Sequence, residues 1–173
     1  MHKWVLAGII SLLLSSHAYS QSKHTEFPVG WKPASVADYD ADSLAYRNIC
    51  VPNHVEGDFD GDGISDDAWL LVNDASKEFG VFVFLRQKNG SQRIVQLSKH
   101  KKELDQLDYG ISLAKPGAYE TVCGKDFPGC QPDDLKVLKL QQPGIRFFVF
   151  EGAEAVYFWD HNTKAFLLIW LSD

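Results

Sequence analysis

From residue 68 onward most apolar residues of this chain come in short runs of five to seven, separated by turn signals. The runs are 68–72, 80–86, 93–97, 135–140, 145–151, 155–159 and 165–171. They are rich in β-branched and aromatic side chains, which suit a pleated surface, and they are too short for core helices. Lys88-Asn89-Gly90-Ser91 carries the Asn-Gly signal of a tight hairpin, with 93–97 as its returning strand. Pro143-Gly144, Gly152-Ala153 and Asp160-His161-Asn162-Thr163 separate the later runs in the manner of a meander. Residues 21–33 read as an extended segment. The spacing of Val36, Tyr39, Leu44 and Tyr46 predicts a short helix within 34–47, and Leu97, Leu104 and Leu107 share one possible face of a helix or loop over 98–107. Most turn residues of the middle of the chain fall in 108–133. No linker and no long repeat divides the chain. The expectation is an α+β, β-rich single domain over 21–173: one mostly antiparallel meander sheet with one or two short helices packed on it.

The first twenty residues read differently. Met1-His2-Lys3 is a short basic start, an apolar stretch of eleven residues follows from Trp4 to Leu14, and Ala18 and Ser20 are small. This is the layout of a secretory signal peptide over 1–20, cleaved after Ser20. A membrane-spanning helix needs ~20 apolar residues, so no span is expected after cleavage. Removing Lys3 leaves 16 basic against 23 acidic side chains, a net charge of −7 on 153 residues. That balance argues against nucleic-acid binding and suits a soluble periplasmic or secreted protein.

The segment with chemistry in it is Asp58-Phe59-Asp60-Gly61-Asp62-Gly63-Ile64-Ser65-Asp66-Asp67. With Glu56 it places six acids in twelve residues and no Lys or Arg among them. Asp and Gly are also what solvated turns are made from. Three alternating aspartates, a glycine and a returning fourth aspartate exceed what a turn needs. Calcium takes ~6–8 oxygen ligands, and loops of this design supply them from alternate positions. The expected donors are the side chains of Asp58, Asp60 and Asp62, the carbonyl of Ile64, and Asp66 directly or through water. Magnesium keeps its waters and binds through fewer carboxylates, and zinc is set aside because no His or Cys adjoins the loop in sequence. An EF-hand is excluded because its last ligand position, counted from Asp58, falls on Trp69 rather than Glu.

The stretch from Gly57 to Ala68 resembles the calcium loop of FG-GAP and VCBS-type repeats. The resemblance covers roughly fifteen residues and implies a bound Ca2+ and a strand starting directly after the loop. The family's propeller is built from several such blades. One copy of the loop does not make a complete β-propeller, so the propeller and its adhesion roles are not carried over.

An oxidising compartment lets thiols pair. Cys123 and Cys130 bracket the turn-forming segment 124–129, which favours a disulfide between them over pairing with Cys50. Cys50 is then a free thiol, expected to act as a small buried hydrophobe. His54, His100 and His161 sit in no recognisable catalytic motif, and Glu151 and Glu154 merely flank a turn. The aromatic cluster at the C-terminal end splits by alternation, with Tyr157 and Trp159 on one face and Phe158 on the other. One set is core. The other is a candidate binding surface, with Tyr157 and Trp159 as the first choice. Two functional classes follow: a non-enzymatic calcium-binding protein that binds or inhibits another protein, of inhibitor or immunity type, and a cell-envelope hydrolase with sequence-dispersed catalytic residues. Mass spectrometry of exported protein should find an N-terminus at or near Gln21; a retained Met1 would overturn the export reading.

Overall fold

The computed structural model describes residues 25–40, 44, 50–102, 106–125 and 127–173, so the predicted signal peptide lies outside the described residues. Twelve strands follow one another there: β1 (Lys32–Pro33), β2 (His54–Gly57), β3 (Asp66–Asn73), β4 (Glu78–Arg86), β5 (Gln92–Gln96), β6 (His100–Lys101), β7 (Tyr109–Ala114), β8 (Gly117–Glu120), β9 (Val137–Leu140), β10 (Gly144–Val149), β11 (Glu154–Asp160) and β12 (Ala165–Ser172). The antiparallel, strand-rich character read from the sequence is present. All seven apolar runs overlap strands, although Leu97, Leu135, Lys136, Phe150 and Glu151 fall outside them.

The strands do not form one sheet. In the first sheet β3 and β4 are central, β1 and β2 pair with the outer edge of β3, and β5 and β6 pair with β4. The second sheet has the order β12-β11-β10-β7, and β8 and β9 form a separate hairpin. The reason is the burial of β3 and β4, which are apolar on both faces. Ala68, Leu70 and Val72 of β3, with Phe79, Val81, Val83 and Leu85 of β4, share one core with Ile111, Ile145, Phe147 and Tyr157 of the second sheet. On the opposite face Leu71, Phe82 and Phe84 pack beneath Phe27, Trp31 and Trp69, so the segment before β1 covers the first sheet from outside. The second sheet is likewise covered: Ala114, Val156 and Leu171 pack with Leu138 and Leu140 of the β8–β9 hairpin. A single sheet with one wet face has no place for strands buried on both sides, which is why the expected one-sheet meander becomes two facing sheets.

The expected helices fare differently. Within 34–47 the described residues show a 3-10 turn, Val36–Asp38, whose Asp38 carboxylate accepts from the Ser35 N–H at 2.8 Å and the Ser35 hydroxyl at 2.9 Å. Ala34, Ser35, Tyr39 and Asp40 are not helical, Tyr39 being extended and bridging to Leu107, and within 41–47 only Leu44 is described. Over 98–107 the structure corrects the helical alternative. Leu97 donates its N–H to the Val81 carbonyl, and His100 and Lys101 pair with Phe79 and Glu78, because the exposed edge of β4 needs hydrogen-bond partners. Leu104 is outside the described residues, while Leu107 is buried in the core. A second 3-10 turn, Val122–Lys125, carries Cys123. No helix among the described residues is long and apolar enough to cross a membrane.

Candidate metal centre

The acidic loop joins β2 to β3 at one end of the first sheet, where Gly57 stands opposite Asp66. Two residues pin it. Phe59 points into the shared core and is 0% exposed. Asp66 is equally buried, and its two carboxylate oxygens accept from the Phe59 N–H at 3.0 Å and the Arg86 N–H at 2.8 Å. The loop between them turns through Gly61 and Gly63, whose φ angles of +77° and +87° lie in the region that glycine adopts without strain. Gly61 also needs its missing side chain, since a Cβ there would sit 3.1 Å from the ring of His161. His161 and Gln142 hydrogen-bond each other, so the turns β11–β12 and β9–β10 brace the loop from the second sheet.

The three alternating aspartates converge. One carboxylate oxygen from each of Asp58, Asp60 and Asp62 lies within 4.8 Å of the others. Local hydrogen bonds fix their directions: Asp58 Oδ2 accepts from Gly63 N–H at 2.9 Å, Asp60 Oδ1 from Asp62 N–H at 3.2 Å, and Asp62 Oδ1 from Ile64 N–H at 2.8 Å. Asp58 Oδ1 is buried and has no hydrogen-bond partner among the described residues. A buried acceptor with nothing to accept is costly, and a cation at the convergence point would satisfy it. Asp66 stands apart from that trio as the clamp that closes the loop. Burial raises the Asp60 pKa, with Asp62 and Asp58 adding repulsion and the Asp62 N–H and Arg93 charge opposing it. Burial also raises Asp66, to about 6, against its two backbone donors, with Asp60 and Asp62 adding to the rise.

Strand pairing assembles a second cluster that sequence spacing concealed. His54, Glu56 and Asp67 come together on the outer face of the first sheet. His54 Nε2 lies 2.9 Å from Asp67 Oδ1, Arg86 binds Asp67 Oδ2, and the His54 ring stacks on Trp69 at 3.8 Å between centroids. Zinc was set aside for want of a neighbouring His, so the structure corrects that ground. Histidine, carboxylate and guanidinium nevertheless satisfy one another here without a metal. The only sequence signal for this cluster was the alternation of His54 with Glu56.

The remaining candidates separate cleanly. Cys123 and Cys130 are joined in a disulfide. Cys50 is exposed, not buried as expected. Tyr157 is 6% exposed and belongs to the core, leaving Trp159 as the partly exposed member of its pair, with the Arg93 guanidinium 5.5 Å above its ring. Glu154 pairs with Arg146 at 3.2 Å. His100 lies in an aromatic stack with Phe79, Tyr109 and Phe147, beside a cavity of about 280 Å3, and burial lowers its pKa.

Compared with known proteins, the chain is matched by no family model, no curated protein and no solved structure.

The Asp66 shift has a sign. Its pKa is 3.8 when the chain is unfolded and about 6 when folded, so the fold favours the protonated form. In chelator, the stability that Asp66 contributes is full below the lower value and lost as pH rises through the higher one. The difference in melting midpoint between wild type and Asp66→Asn should therefore change over that window, and calcium should shrink the change. A pH-independent difference would show that Asp66 is not held in this way.

Proposed function

We propose that this is a secreted or periplasmic calcium-binding protein whose loop rigidifies one end of a β-sandwich and which acts by binding another protein, in an inhibitor- or immunity-type role. The observation that carries the calcium reading is the convergence of the Asp58, Asp60 and Asp62 carboxylates, one of which, Asp58, has a buried and unpartnered oxygen. The donor set is all oxygen, as hard calcium requires. Asp58, Asp60 and Asp62 would hold the ion, with the Ile64 carbonyl as a further donor and Asp66 positioning the loop or reaching the ion through water. The loop runs directly into β3, as the FG-GAP and VCBS resemblance implies. The Cys123–Cys130 disulfide suits an oxidising compartment.

Support for a binding role comes from Trp159. It lines a groove of about 250 Å3 with Arg93, Val95, Leu97, Tyr157 and Phe166, where the open side of the sandwich exposes an Arg-capped indole. Trp and Arg carry a disproportionate share of interface energies. The hydrolase alternative has its best footing in the cavity beside His100, where His100 and Asp108 both contribute to the wall.

An ion that binds only the folded chain stabilises it by ~2.7 kcal/mol at a hundredfold excess over the dissociation constant. Melting should rise with calcium into the millimolar range, fall with chelator and respond weakly to magnesium, and Asp60→Ala or Asp62→Ala should abolish the response. A melting curve that ignores calcium, with no heat in calorimetry, would reduce the loop to an acidic turn.

For the binding role, affinity capture from periplasmic extract should recover a partner with the wild-type chain and lose it with Trp159→Ala under conditions where circular dichroism shows both proteins folded. Equal capture by both proteins would remove Trp159 from the recognition surface.

A further inference from the structure

Sheet edges carry unpaired main-chain groups, and natural proteins shorten them, charge them, break them with proline or cover them. Most edges here follow that rule. β1 has two residues and ends on Pro33, β2 carries Glu56, β5 carries Arg93, and β6 is two residues long with Lys101. The edge of β7 is closed by the chain next to β2, with Ile111 N–H donating to the Pro52 carbonyl at 2.8 Å. β12 is the exception. It is eight residues long, Ala-Phe-Leu-Leu-Ile-Trp-Leu-Ser, with no charge and no proline, and it pairs with β11 alone. Leu167, Leu168 and Trp170 are 42%, 37% and 44% exposed, so both faces of this edge are apolar and wet. Among the described residues its far end is engaged, where Lys125 Nζ donates to the Leu171 carbonyl at 2.7 Å.

We propose that β12 pairs with β12 of a second copy of this chain, antiparallel across a two-fold axis normal to the sheet, joining two four-stranded sheets into one of eight strands. Symmetry decides for a second copy. A two-fold axis normal to the sheet leaves each face on its own side, so residues opposite one another must share a face and the axis passes midway between one residue and its own copy. Centred on Leu168, the pairing sets Leu168 against itself, Leu167 against Ile169 and Phe166 against Trp170, twice over. Every opposed pair is apolar and the aromatic pair is of a favourable kind. It stops short of Leu171, whose carbonyl Lys125 already holds. The strand is complementary to itself along its whole open length, and no charge opposes a like charge within it. The inference is independent of the calcium loop, which joins β2 to β3 in the other sheet.

The test is the mass in solution of the mature, disulfide-intact chain carrying Cys50→Ser, which keeps the exposed thiol from cross-linking copies. Light scattering across micromolar to sub-millimolar concentration should show twice the chain mass. Leu168→Lys places two like charges face to face on the axis and should weaken association by roughly tenfold or more. Circular dichroism and melting, read at the same time, should stay those of the folded chain, because Leu168 is already exposed. Should that variant misfold, Leu167→Lys, on the other face of the same strand, reports in its place and should also weaken association. A chain that stays monomeric throughout overturns the proposal, as does a dimer that tolerates the lysines in a folded protein.

Discussion

The β3–β4 hairpin is the constraint from which the rest of the structure follows. Asp67 to Asn73 pairs in unbroken register with Glu78 to Phe84, and apolar side chains leave the hairpin on both faces. Burying apolar surface contributes about 25 cal/mol per Å2, so a hairpin with two apolar faces is stable only when covered twice. The second sheet provides one cover. Phe27 and Trp31 provide the other, with their rings 5.6 Å from Phe84 and 4.8 Å from Phe82. The same logic repeats one layer out, where the β8–β9 hairpin shields the far face of the second sheet. Neither sheet can be peeled away without exposing the other.

The two buried carboxylates at the end of this hairpin are each answered by neighbours, whereas the buried Trp69 Nε1 has no hydrogen-bond partner among the described residues. Asp66 is answered by two backbone donors and Asp67 by His54 and Arg86. The Arg86 side chain also reaches the Ser65 carbonyl at 3.0 Å, so one arginine ties both ends of that stretch to β4. Asp58 Oδ1 breaks the pattern. Its neighbours Asp60 and Asp62 are acids, and each raises rather than relieves the local cost of negative charge. That unpartnered oxygen, beside two further acids, is the observation on which the proposed cation site rests.

What the sequence disclosed was whatever depends on local alternation. The runs 68–72, 80–86, 155–159 and 165–171 became strands with ends moved by two residues at most, since period-two apolar patterning and flanking turns act within the run itself. The local disulfide was legible for the same reason. β1, β2, β6, β7 and β8 were not, because they are strands by virtue of the neighbour they pair with: Lys32-Pro33 has no strand propensity and is held by Val72 and Leu71. The number of sheets was hidden in a quantity that alternation does not carry, namely which of two apolar faces meets which partner. The DxDxDG spacing of the loop brought out its three converging carboxylates, while the clamp role of Asp66 and the brace of His161 and Gln142 required residues from β4 and the second sheet. Tyr157 and Trp159 could not be told apart by parity, and in the structure the first is buried while the second is partly exposed beneath the Arg93 guanidinium.

The loop is also the place where the two sheets are mechanically joined at their rim. Gly61 lies against His161 in the β11–β12 turn, Gly57 against Pro143 ahead of β10, and Phe59 beneath both in the shared core. Asp160 opens that turn and binds it through the Asn162 N–H and the Thr163 N–H and hydroxyl, so the surface presented to Gly61 is itself fixed. Drawing Asp58, Asp60 and Asp62 together around an ion would set the position of Gly61 between them, and through it the turn that starts β12.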